Sequence, residues 1–152
     1  MNWRSEPGFS LLELIVVLAI MALGFTFVAP NFARSLDGLR FRAAAREVAD
    51  ALRQTRGIAL SQGREAVFFL DVTGHRYRID RQRKSHSLPE FVELTLETAE
   101  SETTDSGGNI RFFPDGSATG GRVTLTWGER QRWVDVNWLT GRVTVSAMTD
   151  ED

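Results

Sequence analysis

The sequence predicts an α+β fold, in which one long N-terminal helix packs its second half on an antiparallel β-sheet or small β-sandwich. Three observations carry that reading. Apolar residues run almost unbroken from Phe9 to Ala29, and beyond Pro30 they recur at helical spacing as far as Ala59. Past Gly63 the period changes to two, in short segments rich in β-branched and aromatic residues. Turn signals at Thr73-Gly74, Gly128 and Thr140-Gly141 separate those segments, and such short connections favour antiparallel hairpins.

The helix begins with its most apolar part. From Phe9 to Ala29 the only polar side chains are Ser10, Glu13 and Thr26. A helix of that length reaches about 30 Å, the thickness of a bilayer's hydrocarbon core, so residues 9–30 read as a transmembrane half. A cleaved secretory signal fits poorly: its apolar region is shorter and ends at a small-x-small site, whereas here Pro30 follows Ala29 directly. A plain anchor gives Glu13 no role, although a carboxylate in lipid costs about 2–3 kcal/mol. Cleavage between Gly8 and Phe9 gives it one. Glu13 then stands one helical turn from a new α-amino group. Its partner would be the positive N-terminus of a neighbouring copy or homologue, and the two charges would neutralise each other between helices. Such a pair forms only on assembly and sets the stagger between subunits. Phe9 and Glu13 are therefore candidate docking residues.

Residues 31–62 read as the amphipathic half. Phe32, Leu36, Leu39, Ala43, Val48, Leu52, Thr55 and Ala59 fall mostly on one face. Arg34, Arg42, Arg46, Glu47, Asp50, Arg53 and Arg56 occupy the other, with Arg46 and Asp50 spaced as an i,i+4 pair. Pro30 removes a backbone hydrogen bond and is expected to bend the helix at the membrane exit. Gly63 suits the left-handed position that closes a helix. Residues 63–152 form the β domain, with strands expected at 65–71, 76–81, 91–97, 122–127, 132–137 and 142–146. The polar, acidic stretch Thr98–Asn109 reads as a mobile loop, and Arg81–Ser87 as a basic, solvated hairpin tip.

Gly8-Phe9-Ser10-Leu11-Leu12-Glu13 resembles the class III signal of type IV pilins and type II secretion pseudopilins, as do the short leader Met1–Gly8, the apolar run and Pro30 near its end. The resemblance implies cleavage after Gly8 by a prepilin peptidase, N-methylation of Phe9, and a single-pass inner-membrane anchor with the C-terminal domain in the periplasm. That orientation comes from the resemblance alone. Arg4 stands before the apolar run and Arg34, Arg40 and Arg42 behind it, so a positive-inside count points the other way.

The tail carries a second resemblance. "RFFPDGSATGG" (Arg111–Gly121), then "RVTLTW" and "RWVDVNWLTGRVTV", are similar to the C-terminal region of the H-type minor pseudopilin family (GspH), and Ala51–Phe69 fits its helix-to-strand junction. Residues 70–109 hold no diagnostic match. The resemblance implies a pilin-like fold and a minor subunit near the tip of a type II secretion pseudopilus, helping to export folded proteins across the outer membrane. Its implied partners are the major pseudopilin, the other minor pseudopilins of the tip complex, the prepilin peptidase, the inner-membrane assembly platform and inner-membrane lipid. The secretin and exoprotein cargo are further candidate contacts, and the segments 81–87 and 98–109 are candidate surfaces for them. The alternative is a FimT-like minor pilin of a type IV pilus, acting in assembly or DNA uptake. Those relatives often carry cysteines, and this chain has none.

No enzyme, cofactor or metal is expected. Zero cysteine among 152 residues removes disulfides, thiolate metal sites and cysteine nucleophiles. His75 and His86, both expected in turns, cannot supply a three-ligand zinc site unaided. Asp115-Gly116 reads as a turn rather than a catalytic carboxylate. "SGG" and "ATGG" lack phosphate-loop spacing, and the acids of Thr98–Asp105 lack a calcium-loop pattern. The four tryptophans read as core or interface anchors. A net charge of −2 gives no whole-chain argument for nucleic acid, and the helix arginines read as a solvated face.

Overall fold

The computed structural model of the chain describes the backbone of residues 10–148 and the side chains of 10–24 and 36–148. Gly8 and Phe9 lie outside the described residues, as does the side chain of Pro30. Helix α1 spans Leu11–Gln62. The chain divides into two compact units, Met1–Leu39 and Arg40–Asp152, which are described in turn.

In the first unit the start of α1 is capped. The N–H of Glu13 donates to Ser10 Oγ (3.1 Å), and the N–H of Leu14 donates to the Ser10 carbonyl (3.2 Å). Ser10 and Glu13 stand at the spacing of a capping box, and a carboxylate in the first turn also suits the positive end of the helix dipole. The large apolar side chains from Leu11 to Leu23 are all exposed. A helix that is apolar all round needs an apolar medium or neighbours on every side. Among the described residues no helix is long and apolar enough to cross a membrane. The described side chains of the expected span end at Gly24, and its remainder, 25–30, lies outside them.

In the second unit α1 buries a stripe of mostly small residues: Phe41, Ala44, Ala45, Val48, Ala49, Ala51, Leu52, Thr55 and Ala59. The stripe matches the expected face from Val48 onward. It departs earlier, since Leu36, Leu39 and Ala43 are exposed. Thr55 is fully buried and donates its hydroxyl to the Ala51 carbonyl (2.8 Å), so the one polar group in the middle of the stripe is satisfied. Gly63 closes the helix at φ +60°, as its position predicts.

Beyond the helix come β1 (Ala66–Asp71), β2 (Arg76–Ile79), β3 (Ser85–Ser87), β4 (Glu93–Thr98), a 3-10 turn (Glu100–Glu102), β5 (Thr103–Thr104), β6 (Gly107–Phe112), β7 (Gly121–Trp127), β8 (Arg130–Val136) and β9 (Val143–Ala147). They build two antiparallel sheets, ordered β3-β2-β1-β6-β5 and β4-β7-β8-β9. Alternate residues point to one core: Ala66, Phe68 and Leu70 from β1, Ile110 and Phe112 from β6, Val123 and Leu125 from β7, Val134 and Val136 from β8. The sheets meet where Thr98 Oγ1 donates to the Asn109 carbonyl (2.7 Å). Two polar ties bind the first sheet to α1 and its exit. Tyr77 hydroxyl donates to Glu47 Oε1 (2.8 Å), and burial pushes the Tyr77 pKa well above its ordinary value. Arg64 Nη2 donates to Asp80 Oδ2 (2.7 Å) and holds that carboxyl below the usual carboxylate range.

Three expectations are corrected. Residues 98–109 are not a mobile loop: they supply the end of β4, the 3-10 turn, β5 and the start of β6. Composition misled there because the buried carboxylate of Glu102 has its partner nine residues on. Arg111 donates to Glu102 through Nε (2.8 Å) and Nη2 (3.4 Å), and to Glu65 through Nη1 (3.0 Å), and the Glu102 bond raises the Arg111 pKa. The basic tip is also shorter than expected, because Ser85–Ser87 pairs with β2 and His86, placed in a strand rather than a turn, stacks on Tyr77 at 5.0 Å. Lastly, Asp50 pairs with Arg53 (2.8 Å) rather than with Arg46.

Glu102→Ala is expected to lower the stability of the folded unit by on the order of 2–3 kcal/mol, because it leaves the half-buried Arg111 without its main counter-charge. Denaturant unfolding measures the loss, and proteolysis should then begin within 98–109. A change under 0.5 kcal/mol would show that segment to be held by other contacts.

Candidate functional site

The two sequence segments most distinctive of the tail form turns that lie against each other at the end of α1. In the first, Pro114 fixes its φ as a turn requires, and the Gly116 N–H donates to the Phe113 carbonyl (3.0 Å). Gly116 sits at φ +90°, and the Phe113 N–H then meets the Ser117 carbonyl (2.9 Å), closing a three-residue hairpin loop. Asp115 is part of this turn. Its Oδ1 accepts from the Ser117 hydroxyl (2.6 Å) and N–H (2.9 Å), which hold the carboxyl below its ordinary range.

In the second turn Asn137 is the organiser. Its Oδ1 accepts from the N–H of Leu139 (3.1 Å) and Thr140 (3.0 Å) and from the Thr140 hydroxyl (3.0 Å). The Gly141 N–H returns to the Asn137 carbonyl (2.8 Å). Gly141 is required twice over: its φ is +59°, and a Cβ there would overlap the Gly116 carbonyl oxygen of the first turn. The turns are also joined by the Ala118 N–H, which donates to the Trp138 carbonyl (2.8 Å). Arg56, from α1, spans both, donating through Nε to Gly116 O (3.4 Å) and through Nη2 to Thr140 O (3.0 Å). The result lifts Trp138 and Leu139 into solvent, 64% and 63% exposed.

The other residues singled out in the sequence are scattered. Glu13 is exposed in the first turn of α1, and among the described residues its carboxylate has no partner. His75 takes a turn at φ +46° and contacts the Val92 carbonyl through Nε2 (3.0 Å), while His86 stacks on Tyr77. Among the described residues no three His, Asp or Glu side chains converge as metal ligands. Trp127 packs between Phe41 and Phe91, each 5.9 Å away between ring centres, as a core anchor. The arginine face of α1 is not uniform: Arg53 and Arg56 are engaged by the β unit, whereas Arg42 and Arg46 are exposed. Sequence reasoning missed Ser10, although Ser-x-x-Glu is a legible capping signal, and it missed Arg56 and Arg111, whose partners are distant in sequence.

The described groups make turns, caps and packing contacts. The segment from the small-residue stripe to Gly141 is also what is matched elsewhere: a sequence profile described as "Type II transport protein GspH" matches residues 44–141. The chain belongs to the GspH family. A second profile, the prokaryotic N-terminal methylation motif, matches residues 3–29. A protein of Xanthomonas campestris pv. campestris named "Type II secretion system protein H" is 35% identical over 141 residues, 92% of this chain and 83% of that protein. Among solved structures, the type IV minor pilin FimU of Pseudomonas aeruginosa aligns with a TM-score of 0.57 at 15% identity, over 72% of this chain and 90% of FimU. The minor pseudopilin EpsH of Vibrio cholerae aligns with a TM-score of 0.56 at 15% identity, over 70% of this chain and 95% of EpsH. At such identities the likeness is one of fold, and the fold is pilin-like.

Gly141→Ala should lower stability by about 3 kcal/mol, through left-handed strain and through separation of the two turns. A denaturant melt checks this. An unchanged midpoint would mean that the turns do not meet at Gly141.

Proposed function

We propose that this chain is a minor pseudopilin, a structural subunit near the tip of the periplasmic pseudopilus of a type II secretion system, which helps to move folded proteins across the outer membrane. The observation that carries the reading is GspH family membership in a chain that also bears the N-terminal methylation motif at residues 3–29. The relative named type II secretion system protein H supports it at 35% identity. FimU and EpsH fit the fold equally well, so the fold does not separate pilus from secretion system, and the sequence relatives favour secretion. The role is structural rather than enzymatic.

In this reading the prepilin peptidase cuts between Gly8 and Phe9, Phe9 is N-methylated, and the apolar half of α1 anchors the subunit in the inner membrane with its β unit in the periplasm. Pro30 bends the helix at the membrane exit. Ser10 holds the first turn closed from the backbone side, which leaves the Glu13 carboxylate available to the α-amino group of an adjacent subunit. In lipid neither charge is tolerated alone, so pairing is strongly coupled to assembly. The partners are the major pseudopilin, the other minor pseudopilins and the inner-membrane assembly platform.

The test is a deletion strain complemented by the wild type or by Glu13→Ala. Exoproteins should accumulate in the periplasm of the deletion strain and reach the medium on wild-type complementation. Glu13→Ala should insert and be cleaved, with the mass of a chain beginning at N-methyl-Phe9, yet fail to restore secretion. Normal secretion in the deletion strain would refute the pseudopilus role, and full rescue by Glu13→Ala would refute the docking role.

A further inference from the structure

Strand β9 is the outer strand of its sheet, and among the described residues no strand pairs with its outer edge. On the inner side the Asn137 N–H donates to the Arg142 carbonyl (3.0 Å) and the Met148 N–H to the Gln131 carbonyl (3.1 Å), and the register between them pairs Asp135 with Thr144 and Trp133 with Ser146. The ladder to β8 thus uses Arg142, Thr144, Ser146 and Met148, and the residues between them turn their N–H and C=O outward. The Val143 carbonyl is met by Arg53 Nη2 (3.4 Å). The outward groups of Val145 and Ala147 meet nothing among the described residues.

The other sheet edges are managed. Strands β3 and β5 are only three and two residues long. Strand β4 carries Glu93 and Glu97 and is bridged to β6 through Thr98. Strand β9, Val-Thr-Val-Ser-Ala, has no charge, no proline and no bulge. Such an edge is a template for another strand.

A second, independent feature lies where β9 begins. Arg53, Arg56 and Arg142 line one cleft of about 380 Å³ together with Thr140, Gly141 and Val143. Among the described residues only Arg53 of the three has a carboxylate, that of Asp50. Arg56 is held by two backbone carbonyls, which orient its guanidinium without neutralising it. Among the described residues the Arg142 side chain makes no hydrogen bond or ion pair. Three guanidiniums against one carboxylate call for an anion, and planar guanidinium groups match a carboxylate in two-pronged fashion.

We propose that β9 is a docking edge for an extended, carboxylate-bearing segment of a neighbouring protein subunit. The segment adds as a strand beside Val145 and Ala147 and sets an acidic side chain among Arg53, Arg56 and Arg142. A phosphate group would satisfy the arginines but has no use for a strand edge, and the edge decides for peptide. The inference rests on the pseudopilin reading only for the source of the segment, another subunit of the same filament.

The chain has no cysteine, so Ala147→Cys gives one reporter at the exposed far end of the edge. Its alkylation by a maleimide is followed in envelopes of a strain with the complete secretion system and of a strain lacking the other filament subunits. Labelling should be about tenfold slower in the complete strain, because an added strand must open before the thiol reacts. A Ser85→Cys control on β3 should label alike in both. Adding Arg142→Glu should restore fast labelling at position 147. Ala147→Pro removes an outward N–H that β8 does not use, so it should leave the melting temperature unchanged while abolishing co-purification with the other subunits.

Equal labelling in the two strains would overturn the proposal. Slow labelling in both would overturn it too, since the chain itself, lipid or nucleic acid would then be the cover. Protection that survives Arg142→Glu would refute the acidic partner. Equal labelling together with impaired secretion in the deletion strain would sink this inference alone, whereas normal secretion would sink the pseudopilus reading.

Discussion

The β unit depends on one contact, the burial of a single face of α1 between Phe41 and Ala59 under two sheets. Neither sheet is large enough to enclose a core by itself, and the smaller strands pair over only two or three residues. The helix supplies the missing wall. Its large buried members, Phe41, Val48 and Leu52, each contribute about 1.5–3 kcal/mol in removal from water. The alanines add little area, but their small side chains let those of the sheets approach the helix closely, and close packing is what keeps such a core single-valued.

Polar ties then fix the sheets around that wall. Tyr77 with Glu47 and Arg64 with Asp80 attach the first sheet to the helix and its exit, and Arg56 attaches the two turns of the tail. These are unlike the exposed pair Arg53–Asp50, which is worth well under 1 kcal/mol in water. Asp80 and Glu102 are mostly shielded, so their guanidinium partners compensate a real desolvation penalty.

The legible parts of this fold are those governed by local rules. The helical period, its end at Gly63, the alternation in β1, β7 and β8, and the Thr140-Gly141 turn all follow from neighbours a few residues apart. The segment 98–109 was not legible because its order comes from Arg111 and Glu65, one outside the segment and the other far upstream. The buried face of α1 was misjudged at Leu36, Leu39 and Ala43: the first two come before the compact β unit, which begins at Arg40, and Ala43 falls beside the stripe of Phe41, Ala44, Ala45 and Val48 rather than on it. The candidate assembly residues Gly8, Phe9, Glu13 and Pro30 were legible only as a motif. The roles proposed for them concern lipid and other subunits, which a reading of one chain's own contacts does not reach. Arg56 was invisible for a related reason: it binds carbonyl oxygens, which have no signature in sequence.

The same fold aligns equally with a pilus subunit and a secretion subunit, so what distinguishes such proteins must lie on their surfaces. On this chain the surface is uneven in an informative way. Among the described residues three of the four sheet edges are shortened, charged or bridged, and the fourth is left open beside three arginines with one carboxylate between them. An open, uncharged edge is a hazard in a free protein, because it invites pairing with any exposed strand. In a filament subunit the hazard is confined, since a neighbour held at fixed stagger can cover the edge as soon as the subunit is incorporated. The docking role proposed for Glu13 follows the same logic at the other end of the chain: a carboxylate that is unfavourable alone in lipid would be satisfied on assembly. Under both proposals the unassembled subunit is penalised, and the free energy recovered on pairing would favour the filament.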